Sequence, residues 1–578
     1  RAPRPMADAG RAAAVLALPV AELAAALARR DFTAVEVLQA YRARAEEVHK
    51  ACNAVTHWFE DAEALARRAD EHLQRTGGML GPLHGVPFSV KDHVDAVGTP
   101  STFNMLTVKR MNEERQQKGR PVGPRHDDAL VGALKSLGAI PFAKTTMSQM
   151  GNTWGGGGPA TGDTLNPWDT LRSTGGSSCG EGALVGGGAS PFGIGSDIGG
   201  SLRIPSAFCG ISTLKPTAGR LALVLSIPGD YSIPATTGIM AKSAEDVLFV
   251  NSCLLSEALW ERSPRVPRAP LLRAELAPEG RRLRVGHYVD EYSQLRACPA
   301  VRRAVEEVVE ALRRRGHELV PFRPHSEGKV RLEEIRGADW SFHVSQRPSA
   351  PKPKAAAPEQ GPAAKAAEGK VRAAVLPAWA RRDEPIHPDL AANAGRHPGV
   401  AAEKVEHVGA EGAPGLQRLL ARRDGLRERF YGAWRQAGLD ALVCPVMVLP
   451  ACQVEEVRRL SKLNDTVRVF NFMDMPAGAV SVTAVTEEDL RRPYEPEHPD
   501  PGVSAAARRC LEGAAGLPVA VQVAALPWRE ELVLRVMREV QAACPFQGNH
   551  AHLQPVPRRS PTLGARPEAI PRPPAAKL

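Results

Sequence analysis

The stretch from Ser173 to Thr217, STGGSSCGEGALVGGGASPFGIGSDIGGSLRIPSAFCGISTLKPT, concentrates the side chains that could do chemistry. It is dense in Gly and Ser, yet Ala183, Leu184, Val185, Phe192, Ile194 and Ile204 stand among them, which a flexible linker would lack. Small hydroxyls on glycine turns in an apolar setting aim backbone N–H groups at a small anion or a carbonyl oxygen. Two nucleotide readings fail on spacing. No GxxxxGK followed by Ser or Thr occurs, and Gly193 and Gly195 are followed by Gly199, one residue too late for GxGxxG. Gly176-Ser177-Ser178-Cys179-Gly180 does match GxSxG, the nucleophile elbow of α/β-hydrolases, and would make Ser178 an esterase nucleophile with a histidine partner. Upstream, Val86, Phe88 and Val90 lead into Lys91 as a buried strand would. A free lysine is almost wholly charged at neutral pH, so a basic role needs burial beside hydroxyls and away from carboxylates. Asp92 follows immediately, but successive strand side chains point to opposite faces.

Taken together, GGSS, GSDIGGSLRIPS and LKPT, with Gly85-Val86-Pro87-Phe88-Ser89-Val90-Lys91-Asp92 upstream, resemble the amidase signature of Ser-Ser-Lys amidohydrolases. The strings EGALVGGGASPFGIGSDIGGSLRIPSAFCG, MPAGAVSVTAVT and GLPVAVQVAALPWREELVLRVMREV are similar to the fatty acid amide hydrolase branch of that family. The resemblance covers Leu18 to Ala338 and Gly425 to Cys544, and implies an amidase-signature fold in which a large mixed sheet is covered by helices on both faces. It implies Ser201 as nucleophile, Ser177 as bridging serine after a cis peptide from Gly176, and Lys91 as base; Ser177 and Ser201 stand at the family's 24-residue spacing. The N–H groups of Ile198, Gly199, Gly200 and Ser201 would receive the oxyanion. Counting from Pro141-Phe142, the family's substrate-contact position falls on Gly151, and Gly155 to Gly158 stand where bulkier groups would line a channel. Arg203 is expected in a structural ion pair with Asp197. Cys179 replaces a glycine usual in the family, at a cost if that position needs φ > 0.

The elements that must position these groups alternate. Short apolar runs at Val86–Val90, Ile140–Ala143, Leu442–Val446, Val480–Val485 and Val519–Ala524 read as strands; Val301–Arg315 and Glu530–Ala543 read as helices. Thr33 and Glu36 form a capping-box signature opening a helix through Val37, Leu38, Tyr41 and Val48. The pattern is α/β. Residues 1–17 are expected to be a flexible N-terminus and 18–544 a single amidase domain. That domain carries a Pro-, Ala- and Lys-rich insertion near 347–374, and 545–578 is a disordered, Pro-rich basic tail. Asp339 to Ala421 departs from the fatty acid amide hydrolase pattern. There the family carries an apolar cap, and here Leu376, Pro377, Ala378 and Trp379 are the one brief apolar cluster.

The 578 residues contain 74 Lys and Arg against 64 Asp and Glu, a +10 excess too diffuse to indicate nucleic acid. Nine cysteines without a CxxC pair argue for a reducing compartment, and none of the 16 histidines carries a metal spacing, HExxH being absent and the close pair His550 and His552 lying in the tail. Neither metal nor cofactor is called for. Ala12 to Ala28 is interrupted by Pro19 and Glu22, so no transmembrane segment is read there. The expected location is intracellular, cytoplasmic or on internal membranes. The expected partner is a small acyl amide rather than nucleic acid, with room for peripheral membrane contact and a homodimer. The rival readings are the Ser178 esterase, a family amidase for a smaller non-lipid amide, a tRNA-dependent amidotransferase subunit, and a non-catalytic basic protein binding nucleic acid or anionic lipid.

Overall fold

A computed structural model of the chain describes residues 9–222, 233, 235–277, 281–336, 402–460 and 463–546, with backbone alone for 402–416. Strands of the main sheet are β1 (Val55–Trp58), β2 (Pro87–Lys91), β3 (Ile140–Thr145), β6 (Phe192–Asp197), β7 (Ser212–Lys215), β8 (Thr236–Ala241), β9 (Arg284–His287), β10 (Glu318–Pro321), β11 (Ala441–Pro445), β12 (Ala477–Ala484) and β13 (Pro518–Ala524). A separate ribbon pairs β4 (Gly157–Gly158) with β5 (Gly162–Asp163). The 11 strands lie in the order β1-β3-β2-β6-β8-β7-β12-β13-β11-β9-β10. β3, β2 and β6 are parallel neighbours, as are β11, β9 and β10; the pairs between β6 and β11 are antiparallel.

The two faces of the sheet are told apart by alternation. Gln522 of β13 receives a hydrogen bond from Arg203 on the helix Arg203–Cys209. Its neighbour Val523 pairs with Gly478, where a Cβ would strike Met537 of the helix Glu530–Ala543. Adjacent strand residues point to opposite faces, so these helices cover opposite faces and the sheet is buried on both. That explains why its central strands read as continuous apolar runs, while the edge strands β1 and β10 are half open.

Every strand and helix expected from apolar runs is present, with ends shifted by a few residues. The capping box at Thr33 forms: Thr33 Oγ1 accepts from the Glu36 N–H at 3.1 Å and Glu36 Oε2 accepts from the Thr33 N–H at 2.8 Å. The helix Ala34–Cys52 then buries Val37, Leu38, Tyr41 and Val48.

Two expectations are corrected. Ala9–Ala17, assigned to a flexible N-terminus, is a helix that buries Val15, with Arg11 paired to Glu36 at 3.1 Å and stacked over Phe32. Phe546, assigned to the tail, is buried against Trp168. The insertion near 347–374, the cluster Leu376–Trp379 and residues 547–578, with His550 and His552, lie outside the described residues. Among the described residues no helix is long and apolar enough to cross a membrane.

Removing the cap hydroxyl leaves an unsatisfied helix N–H, so Thr33→Ala is expected to cost about 1 kcal/mol, read as a lower urea midpoint at unchanged slope.

Candidate active site

The site forms where the parallel strands β2 and β6 end side by side, the carboxyl edge at which open α/β sheets bind ligands. Lys91 is the last residue of β2 and is fully buried. Phe88 anchors its strand by stacking on Phe192 of β6, ring centres 5.6 Å apart. The Lys91 amine donates to Ser177 Oγ at 2.8 Å and to Ser196 Oγ at 3.0 Å. Burial lowers its pKa from 10.5 to about 7, against the raising influence of Cys179, Asp197, Glu181 and Asp92. The expectation of a lysine remote from carboxylates is therefore wrong in detail. Glu181 is itself raised by burial to about 7, despite hydrogen bonds from Ser89 and Thr145, so it offers less than a full charge. Asp92 is turned away, accepting from the Thr102 N–H and hydroxyl.

Ser177 follows a cis peptide bond from Gly176. Its carbonyl accepts from the Ser148 N–H at 3.2 Å. Ser201 follows β6 by four residues and is tied to the first serine pair by a 3.2 Å bond from the Ser178 N–H to the Ser201 carbonyl. The structure thus brings Lys91, Ser177 and Ser201 to one place, but Ser201 Oγ makes no hydrogen bond among the described residues and the Ser177–Ser201 link is open. Gly151 also arrives here: a Cβ on it would lie 3.4 Å from Ser177 Oγ, and its φ of +69° disfavours any larger residue.

The loop from Ile198 to Ser201 is held by Asp197. That carboxylate accepts from the Gly200 N–H at 2.8 Å, the Leu202 N–H at 3.1 Å, the Arg203 guanidinium twice at 3.1 Å, and Asn471 at 2.8 Å. Burial alone would raise its pKa, but Arg203 holds it well below the usual carboxylate range. Gly200 was expected among the oxyanion donors. Its N–H is committed to Asp197, which leaves those of Ile198, Gly199 and Ser201, none bonded to an acceptor among the described residues. The Gly200 position demands glycine, because its φ is +108° and a Cβ would meet Val467 at 2.4 Å.

Other expectations are settled by packing. Ser178 is fully buried and shares its hydroxyl with the backbone of Ser196, at 3.3 Å to the carbonyl and 3.4 Å from the N–H. Among the described residues no histidine bonds it, so the elbow reading finds no base there. Cys179 opens the helix Cys179–Gly186 without positive φ and suffers no backbone penalty. The obligatory glycine is its neighbour Gly180, where a Cβ would strike Thr146 N at 2.4 Å. Gly155 to Gly158 do not line an open channel. A Cβ on Gly158 would overlap the Asn104 amide at 2.4 Å, and Gly155 packs under Gly176. Among the described residues no cluster of His, Cys, Asp or Glu could hold a metal, and all nine cysteines are free thiols.

Two groups at the lysine escaped the sequence reading. Ser196 lies next to Asp197 in the signature and binds the amine, and His93 Nε2 lies 3.1 Å from Ser196 Oγ. The signal for His93 was its place two residues after Lys91, at the same strand end.

The sequence profile of the Amidase family matches residues 36–534. Fatty-acid amide hydrolase 1 of Sus scrofa is 32% identical over 546 residues, spanning 91% of this chain and 86% of that protein. Fatty acid amide hydrolase 1 of Caenorhabditis elegans is 31% identical over 531 residues, 89% of this chain and 86% of that one. A solved structure of a fatty acid amide hydrolase superposes with a TM-score of 0.73 at 24% identity, covering 92% of this chain and 86% of the other. With signature, fold and site in agreement, the chain belongs to the amidase family. It is a hydrolase acting on carbon–nitrogen bonds of amides.

Keeping an amine in this buried place costs stability wherever it is charged. Below pH 7 Lys91 is protonated both folded and unfolded, and the full cost applies; between 7 and 10.5 the unfolded chain holds more protons, so stability rises with pH. Lys91→Met is therefore expected to stabilise the fold by on the order of a few kcal/mol at pH 6, the gain fading toward pH 10 in paired denaturation curves.

Proposed function

We propose that this enzyme hydrolyses acyl amides, with fatty acyl amides such as N-acylethanolamines or primary fatty amides as its substrate class. In this reading Ser201 is the nucleophile, Ser177 the proton bridge and Lys91 the base. The observation that carries it is the 2.8 Å contact between Ser177 Oγ and a buried amine whose pKa lies near 7. Such an amine is neutral in a good fraction of molecules at physiological pH, which a surface lysine is not.

The steps follow from the groups present. Ser177 gives its proton to Lys91 Nζ and takes one from Ser201, whose Oγ turns toward Ser177 as substrate arrives; hydrogen bonds of this kind often tighten only in the complex. The Ser201 Oγ–carbon bond forms, and the N–H groups of Ile198, Gly199 and Ser201 receive the oxyanion. On collapse the carbon–nitrogen bond breaks, and the proton returns from Lys91 through Ser177 to the leaving nitrogen. Water then cleaves the acyl-enzyme by the same route. The fatty acyl preference is supported by the relatives' names and by Ile198, which packs against an apolar cluster that includes Tyr288, Phe430, Phe472 and Met473.

An amide nitrogen must be protonated to leave, whereas an alkoxide leaves more readily. Lys91→Ala is expected to lower kcat/KM for an acyl amide at least tenfold more than for the matched ester; equal losses would count against the bridge. A fluorophosphonate probe should label Ser201, lose that label in Ser201→Ala, and react faster as pH rises through about 7. Adduct on Ser178 would overturn the assignment.

A further inference from the structure

We propose that His93 is a positioning residue, which acts through Ser196 to direct the lone pair of Lys91 at Ser177. The proposal rests on Lys91 being the base. A neutral amine has two N–H groups and one lone pair, and Lys91 Nζ has two hydroxyl neighbours, Ser177 at 2.8 Å and Ser196 at 3.0 Å. Either hydroxyl can donate or accept. If Ser196 gives its proton to Nζ, the lone pair is spent and Ser177 can only accept, so no proton can leave Ser177. His93 Nε2, 3.1 Å from Ser196 Oγ, removes that alternative. With His93 neutral and its proton on Nδ1, the Ser196 O–H donates to Nε2, a Lys91 N–H donates to Ser196 Oγ, and the Ser177 O–H donates to the lysine lone pair. Every hydrogen bond in the chain then runs in one direction.

The surroundings keep His93 neutral, and the Nδ1 tautomer is the part of the arrangement that the test below decides. The ring is buried, and the edge-on ring of Phe103 packs 5.7 Å away. Burial first, and then the amines of Lys91 at the end of β2 and Lys144 on the adjacent β3, hold the pKa of His93 well below the ordinary value. The neighbouring carboxylate of Asp92 is engaged by Thr102. Nδ1 has no partner among the described residues, so the Ser196 contact is the polar bond that orients the ring. When Ser177 gives up its proton, Nζ becomes an ammonium, Ser196 goes on accepting from it, and His93 gains no charge.

The test compares kcat, KM and pH–rate profiles for an acyl amide in wild type, His93→Phe, His93→Gln, Ser196→Ala and Lys91→Ala. His93→Phe keeps the ring and removes the acceptor; it should lower kcat about tenfold at unchanged KM and displace the ascending limb of the profile. His93→Gln, which presents an acceptor oxygen, should restore most of the rate and the limb. Wild-type kcat and limb in His93→Phe, or equal impairment in Phe and Gln variants, would overturn the proposal. Should His93→Phe not fold, His93→Leu takes its place and the same two outcomes decide, with Ser196→Ala, which deletes the competing proton, expected to lower kcat less than either. An active Lys91→Ala would remove the base assignment beneath the proposal; an inactive Lys91→Ala beside an unaltered His93→Phe would overturn the role of His93 alone.

Discussion

A carboxylate and a guanidinium buried together, Asp197 and Arg203, hold the geometry on which the site depends. Both are fully inaccessible. Burying two charges is unfavourable unless every remaining donor and acceptor is met, and breaking one such pair leaves an uncompensated charge. Here the accounts of hydrogen bonds close. Beyond Asp197, the guanidinium reaches Val467 O at 2.9 Å, Gln522 Oε1 at 3.0 Å and Asn471 Oδ1 at 2.7 Å. Gln522 is in turn oriented by donating to Pro445 O and Thr466 O. The Ile198–Ser201 loop takes its shape from this network: Asp197 draws in the Gly200 and Leu202 amides and Asn464 holds the Gly199 carbonyl at 2.9 Å, while the Ile198, Gly199 and Ser201 amides bond no acceptor among the described residues.

Next to that fixed charge pair lies a region where burial pushes titratable groups toward neutrality. Lys91 falls and Glu181 rises to the same neighbourhood, about 7. The two are not bonded to each other; Ser89, Thr145 and the serines Ser177 and Ser196 occupy their hydrogen-bonding positions. The hydroxyls satisfy polar groups without supplying the formal charge that would restore the lysine to an ammonium. A carboxylate bonded directly to Nζ would raise the lysine's pKa and remove its capacity to accept a proton at neutral pH.

The fold was legible wherever burial is written in large apolar side chains, as in β2, β3, β11, β12 and β13. It was hidden in β6, Phe192–Asp197, whose FGIGSD carries two glycines that weaken any strand signal. The reason is spatial: a Cβ on Gly193 would overlap the Glu181 carboxyl, so the strand must be thin where that helix crosses it. At the site, the residues named from the signature, Lys91, Ser177 and Ser201, and Gly151, named by counting from Pro141-Phe142, lie close together in space. It could not show that Gly200 spends its N–H on Asp197, since hydrogen-bond commitment depends on loop geometry rather than residue type. His93 was passed over because the histidines were weighed as metal ligands, and its role requires a neighbouring strand to be in register.

The reach of Arg203 also carries a consequence for how the molecule comes into being. Lys91, Ser177 and Ser201 all lie in the first 201 of 578 residues, yet the acceptors that complete the Arg203 network, the Val467 carbonyl and the side chains of Asn471 and Gln522, come from much later in the chain. A chain emerging from the ribosome displays its whole reactive motif long before those acceptors exist. Contacts so distant in sequence form late. Until β13 inserts between β12 and β11, the guanidinium has no home and the loop no anchor. The Arg203 network is therefore complete only once β13 stands between β12 and β11.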